Sequence, residues 1–347
     1  MPTNSLLGLT RLILLAGLSL AGPVLADTEY TDTVVLKNGN TITGNVKGLA
    51  QGQLSLDTDA MGTVLIEWDK IAEITSETGM QVETITSDRY FGVLEKPTQN
   101  GEIVVNTTTG KKVIPSNNIV HFTPINVSPW KRIQGSLSTG LSYTKSSNVT
   151  QYNIHLAALY RSRQHQVAVK YDSIVTRQDS GTTGQIDSGI SYKGFRQNGW
   201  YGVGFLSFQR NEDLGIDGRG LLGAGLGRNM WETSRSILSL SAGLDVNAED
   251  TTDGSQDSLE LFGTLEYLLY KFQGSTTNLA FSTTIFPSLT DSRRVRTQVS
   301  TKLRQELFDN FFWGLTFYAT SDNQPPLGAL SKNDYGLITS VGWSFGP

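Results

Sequence analysis

The chain of 347 residues contains no cysteine. That excludes a disulfide framework, a thiolate metal site and a cysteine nucleophile, so the folding energy has to come from burial or from a membrane. Histidine is scarce as well: His121, His155 and His165 are the only three, spaced too widely for a paired-histidine metal motif. Charge is sparse and nearly balanced, 28 basic against 32 acidic side chains for a formal net charge of −4, which removes any general electrostatic drive toward nucleic acid. Beyond the N-terminus no apolar run approaches the ~18 residues that a membrane-crossing helix needs. With a mean hydropathy of −0.20, a bundle of transmembrane helices is excluded. A transmembrane β-barrel is not, because its strands turn every second residue toward a polar lumen. Nothing in the composition indicates a cofactor or a metal.

What is present starts with a targeting pattern. Arg11 is followed by an apolar stretch from Leu12 to Leu20 and then by Ala21-Gly22-Pro23-Val24-Leu25-Ala26, directly ahead of Asp27 and Glu29. A basic start, a short apolar centre and small residues at −3 and −1 of a cleavage point read as a signal peptide over residues 1–26. An exported, cysteine-free, glycine-rich chain fits a bacterial envelope.

Residues 27–125 read as two copies of a small β module. The first contains Lys37-Asn38-Gly39, whose Asn-Gly step predicts a hairpin, and ends in Trp68-Asp69-Lys70-Ile71. The second is looser and ends in Ser116-Asn117-Asn118-Ile119, with Gly44 and Gly92 at equivalent places. Strand-turn-strand units of about 45 residues suit tandem SH3-like or Sm-like barrels, each near the size where one core is marginal. Such a module is either a folded spacer or a docking unit for a periplasmic protein or the cell-wall polymer. Residues 126–129, bounded by Pro124 and Pro129, read as a linker.

From residue 130 to 347 a period of two takes over. Ile133, Leu137 and Leu141 alternate with Gln134, Ser138 and Gly140; Leu238, Leu240 and Leu244 alternate with Ser239, Ser241 and Asp245. Twelve strands are predicted, near 131–143, 150–161, 165–175, 185–195, 199–210, 218–228, 235–247, 257–270, 276–286, 294–307, 310–320 and 334–345. The connections over 177–184, 211–217, 249–256 and 321–333 are long and polar, whereas 162–164, 196–198 and 308–309 are short. Long loops at one end, tight turns at the other and an even strand number predict an all-β, antiparallel outer-membrane barrel with both ends of the chain on the periplasmic side. Aromatics near strand ends, among them Trp130, Tyr143, Trp200, Tyr201 and Trp313, are placed for interfacial belts. The last strand runs from Tyr335 through Trp343 to Phe345, like the assembly signal that barrel-insertion machinery reads, although Gly346 and Pro347 follow it.

Trp130, the strand end Gly140-Leu141-Ser142-Tyr143-Thr144, the run from Ser321 to Ala329 and the close from Asn333-Asp334-Tyr335 to Trp343-Ser344-Phe345 resemble the salt-induced outer-membrane proteins that carry domain of unknown function 481. Where that family has a Gly-Asn-Ser/Thr turn after its first strand, this chain has Lys145-Ser146-Ser147-Asn148. The resemblance implies a barrel in the outer membrane, surrounded by its lipid. It brings no catalytic residues.

The search for chemistry agrees. Residues 135–140 form no nucleophile elbow, and the glycines of 220–227 lie in no βαβ unit, so they are expected to pack inside a curved strand. His155 falls on a polar strand face. Arg294, Arg296, Lys302 and Arg304 are expected to oppose Asp245, Glu260 and Glu266 across the lumen, closing it or setting a transverse field in a small pore. Glu212, Asp213, Asp217, Glu249, Asp250, Asp253 and Asp257 are expected on the outer loops, as a solvated or weakly cation-attracting rim. The predicted protein is a noncatalytic barrel serving envelope integrity or ionic stress. A narrow passive pore stands second, and an outer-membrane lipid hydrolase third.

Overall fold

The computed structural model describes residues 30–86, 88–125, 133–144, 149–162, 164–179, 181–251, 254–271, 277–291, 293–308, 310–325 and 331–345. The expected signal peptide and linker, with Trp130 and Asp253, lie outside the described residues. What is described is β structure with a few short 3-10 turns.

The N-terminal strands are β1 (Asp32–Leu36), β2 (Thr41–Ala50), β3 (Gln53–Thr58), β4 (Gly62–Glu67), β5 (Ile71–Thr84), β6 (Arg89–Glu95), β7 (Glu102–Thr107), β8 (Gly110–Pro115) and β9 (Ile119–Pro124). The first half of β5 pairs with β1 and its second half with both β6 and β9. Each half of the domain is thus a meander of the same order, β4-β3-β2-β1-β5 and then β8-β7-β6-β5-β9, with β5 common to both. The two sequence landmarks, Trp68-Asp69-Lys70 and Ser116-Asn117-Asn118, form the matching 3-10 turns.

The repeat does not make two separate modules, however. One apolar core runs through both copies, from Val34, Leu54 and Ile74 to Ile103, Ile119 and Phe122. The indole Nε1 of Trp68 donates to the Ser116 carbonyl at 2.7 Å, and its ring meets Phe122 edge-on at 5.2 Å. Fully burying a side chain of this kind contributes about 1.5–3 kcal/mol, so fusing two marginal cores into one is the stabilising solution. Gly44 and Gly92 lie where a neighbouring strand comes close. A Cβ on Gly92 would sit 2.0 Å from the Asn106 carbonyl oxygen, and one on Gly44 2.5 Å from that of Asp57.

The C-terminal strands are β10 (Ile133–Thr144), β11 (Val149–Arg161), β12 (His165–Gln178), β13 (Gly181–Phe195), β14 (Trp200–Asn211), β15 (Ile216–Glu232), β16 (Ser236–Thr251), β17 (Gly254–Lys271), β18 (Thr277–Pro287), β19 (Val295–Phe308), β20 (Phe311–Asp322) and β21 (Asn333–Phe345). Each pairs antiparallel with the next, and β21 closes on β10 through Val341–Phe345 against Gly135–Thr139. All twelve predicted strands are present.

Their lengths differ from expectation at one end. β13, β15, β16 and β17 continue through residues expected to be loop, leaving only two-residue connections at 179–180 and 252–253. Once a strand rises beyond the apolar zone both of its faces become polar, so the alternation disappears while the backbone ladder continues.

Alternation within the barrel follows the predicted parity. Leu137, Ile154, Leu240, Leu244 and Val341 are exposed outward, and Ser138, Asn153, Ser239 and Asp245 are buried inward. Tyr201, expected in a belt, faces inward instead, because the outward position belongs to its neighbour Trp200. The glycines of β15 do pack inside the curve: a Cβ on Gly223 would meet the ring of Phe205 at 2.4 Å, and one on Gly227 the ring of Tyr201 at 2.3 Å.

Candidate functional site

Polar side chains cross the barrel lumen at three heights. At the mouth far from the N-terminal domain, the Arg219 guanidinium on β15 donates to Glu249 Oε2 on β16 at 2.9 and 3.1 Å and to Gln209 Oε1 on β14 at 3.0 Å. Arg294, just before β19, donates to Asp322 at 2.6 Å and to Glu249 at 3.1 Å. The Arg219 guanidinium comes within 4.0 Å of Asp322 at the end of β20, five strands away around the wall. Asn211 Nδ2 likewise reaches Asp334 Oδ2 on β21 at 3.1 Å. One step deeper, Arg296 pairs with Glu260 while its guanidinium lies 4.7 Å from the centre of the Phe286 ring. These arginines are only 2 % exposed.

At mid-height His155 Nδ1 lies 2.5 Å from Asp172, and Lys170 lies 2.6 Å from Asp187. Lys302 on β19 interacts electrostatically with Asp172 from the opposite wall. Ser138, His155 and Asp172 are consecutive register partners on β10, β11 and β12, which puts a hydroxyl, an imidazole and a carboxylate in one row. The sequence offers no local motif for that row, since its members lie on three strands and meet only through barrel register. The imidazole bonds to Asp172, and Lys170, Asp187 and Lys302 complete a charge lattice around the pair.

At the near mouth Lys193 bonds Glu266 across four strands at 2.6 Å. Here the N-terminal domain meets the barrel: Glu83 lies 3.8 Å from Arg161, His121 Nε2 lies 3.9 Å from Glu232, and Asp69 pairs with Arg235. A cavity of about 170 Å³ lies between them, with His121 and Gln51 on one side and Arg161, Glu232, Glu266 and Tyr270 on the other. Burial, reinforced by the charge of Arg161, pushes the His121 imidazole down to about 4, against the opposing pull of Glu83.

The residues expected in the lumen are therefore distributed. Glu260 and Arg296 meet each other, and Arg294 joins Glu249 and Asp322. Glu266 meets Lys193, and the Arg304 guanidinium lies 4.0 Å from the centre of the Phe312 ring. Asp245 is buried beside Glu260, its register partner.

Of the residues expected on an acidic rim, Glu249 departs from that placement. Glu249 is 2 % exposed and belongs to the lumen, because β16 continues to Thr251 and keeps Glu249 on the inward face that already holds Asp245 and Asn247. Glu212 accepts from the Gly184 amide at 2.9 Å and pairs with Arg210, and Asp213 lies in the 3-10 turn after β14. Asp217, Asp250 and Asp257 are exposed. Tyr335, Trp343 and Phe345 project outward from β21, at 74, 51 and 47 % exposure. Among the described residues no trio of His, Asp or Glu is arranged to hold a metal.

Comparison with solved structures returns barrels of the outer-membrane type at very low identity. A NanC porin is 9 % identical, matched over 62 % of this chain and 100 % of its own, with a TM-score of 0.39. The translocator domain of the autotransporter NalP from Neisseria meningitidis is 12 % identical over 61 % of this chain and 86 % of its own, TM-score 0.33. CdiB from Acinetobacter baumannii is 9 % identical over 90 % of this chain and 78 % of its own, TM-score 0.35. No curated protein sequence matches this chain. The model of a family described as protein of unknown function, DUF481, matches residues 138–345, nearly the whole barrel, and the chain belongs to that family.

Proposed function

We propose that this chain is a noncatalytic outer-membrane β-barrel of a Gram-negative envelope, closed at rest, with its N-terminal repeat held in the periplasm as one fused SH3-like domain against the inner mouth. The observation that carries the reading is the far-mouth cluster, in which Arg219, Arg294, Glu249 and Asp322 join opposite walls of the lumen. Ion pairs this deeply buried are little screened by salt and hold the walls together. Membrane insertion is supported by the closed ladder, which leaves no strand edge to face lipid, and by the outward apolar side chains. The leader of residues 1–26 supplies export, and the even strand count keeps the N-terminal domain on the periplasmic side. The role that fits a closed barrel bound to a periplasmic domain is structural: envelope integrity under ionic stress. Its partners are outer-membrane lipid, the barrel-assembly machinery and, through residues 27–125, a periplasmic protein or the cell-wall polymer.

Planar-bilayer recording of the purified chain tests closure. Wild type is expected to give no unitary steps, and the double variant Arg219→Ala/Arg294→Ala to give them. Steps from wild type would replace this reading with a narrow pore. Phospholipid hydrolysis by wild type that Ser138→Ala or His155→Ala abolishes would overturn the noncatalytic part.

A further inference from the structure

Asp245 stands out among the buried charges of the barrel. It is 1 % exposed, and neither carboxylate oxygen has a hydrogen-bond donor among the described residues. Two residues on, on the same inward face of β16, Asn247 is fully buried and its Oδ1 is also without a donor, while its Nδ2 donates to Ser258 and Glu249. The register partners of Asp245 are Glu260 on one side and Gly223 on the other. On the Gly223 side the space a Cβ would take is filled by the Phe205 ring, an apolar neighbour that offers the carboxylate no donor. Glu260 is itself fully buried and is held by Ser258 and Arg296. No hydrogen bond among the described residues joins Arg296 to Asp245.

The charge census points the same way. Among the described residues, the buried charged side chains of the barrel are Asp245, Glu249, Glu260 and Asp322 against Arg219, Arg294 and Arg296. Six of the seven are engaged in the ion pairs described above, and the surplus negative charge is Asp245. A buried carboxylate with no hydrogen-bond donor, sharing the field of Arg296 with Glu260, is costly unless a proton or a cation neutralises it. Asp245 and Asn247 stand side by side on one strand face, two residues apart, and an all-oxygen donor set suits a small hard ion.

We propose that Asp245 and Asn247, with Glu260 beside them, form a binding site for a small hard cation inside the barrel wall. Asp245 supplies two oxygens and Asn247 Oδ1 a third, and a monovalent ion of the size of sodium balances the census. Binding there neutralises the surplus charge next to the Arg296–Glu260 pair and so supports the closed cluster. The site stands whether or not the barrel conducts.

The test uses the purified full chain in detergent at pH 8, following heat-modifiable gel mobility in choline, sodium, potassium, magnesium and calcium chlorides at matched ionic strength. At least one of the small cations is expected to raise the wild-type midpoint above that in choline by roughly 4 °C or more. Asp245→Asn is expected to lose that difference while melting in choline at or above the wild-type temperature, because the surplus charge is gone. The exposed carboxylate variant Asp217→Asn is expected to keep the wild-type difference. Should Asp245→Asn fail to fold, Asn247→Ser reads the same site, with the cation concentration for half effect rising ~10-fold as the third oxygen is withdrawn. Indifference of wild type to cation identity, a difference retained by Asp245→Asn, or an unchanged half-effect concentration in Asn247→Ser would overturn the proposal.

Discussion

Acidification should weaken the N-terminal domain through His121. This imidazole is buried at the junction with the barrel, near the Leu49 carbonyl and Glu232, and is held at about 4 against its ordinary 6.5. A depressed histidine is neutral in the folded state. As the pH falls through 6.5 the opened chain takes up the proton first; below about 4 both states carry it. Stability is therefore full above 6.5, declines between 6.5 and about 4, and is constant below as far as this group is concerned. At pH 4.5 the loss amounts to about 2.5 kcal/mol at 1.36 kcal/mol per unit of displacement.

Hydrogen exchange of β9 and β2, measured by mass spectrometry on the purified chain at pH 7.5 and 4.5, reports this opening free energy directly. Glu83, Glu232, Arg89 and Arg161 also face His121. The comparison is therefore between wild type and His121→Gln, which keeps a polar side chain of similar reach without the charge change. Wild type should lose about 2.5 kcal/mol more than His121→Gln between the two pH values. Equal losses, or protection in wild type that rises as the pH falls, would refute the burial argument.

Other perturbations follow from single contacts. Arg294→Ala strands Glu249 and Asp322 in the lumen and should cost about 3–5 kcal/mol in thermal or denaturant unfolding, whereas replacing a whole buried ion-pair group by apolar residues of similar volume can cost far less. Gly92→Ala drives a methyl group into the Asn106 carbonyl and should destabilise the N-terminal domain by about 2–3 kcal/mol, while Gly202→Ala, with nothing near, should stay within about 0.5 kcal/mol. Trp68→Phe leaves the Ser116 carbonyl without its indole donor and should cost about 2 kcal/mol, read as a shift in denaturation midpoint.

The sequence by itself determined the twelve strands of the barrel and, where the alternation is clear, their inside-outside parity. Alternation is a local property, enforced residue by residue because one strand face meets an apolar medium and the other a polar one. It also determined the repeat in residues 27–125, since Gly44 and Gly92 recur at the same spacing as Trp68 and Ser116. Strand ends beyond the apolar zone were not legible, and Glu249 therefore looked like a loop residue. Only the tertiary structure decided which charges meet. Arg219 and Asp322 lie 103 positions apart in the chain and touch because ring closure sets β15 opposite β20. The same holds for the single core shared by the two N-terminal copies, for His121 against Glu232, and for Asp245, whose isolation depends on where every neighbouring donor is already committed. Local sequence sets the face to which a side chain belongs; the partner it finds there depends on strand register and barrel closure, which no local pattern encodes.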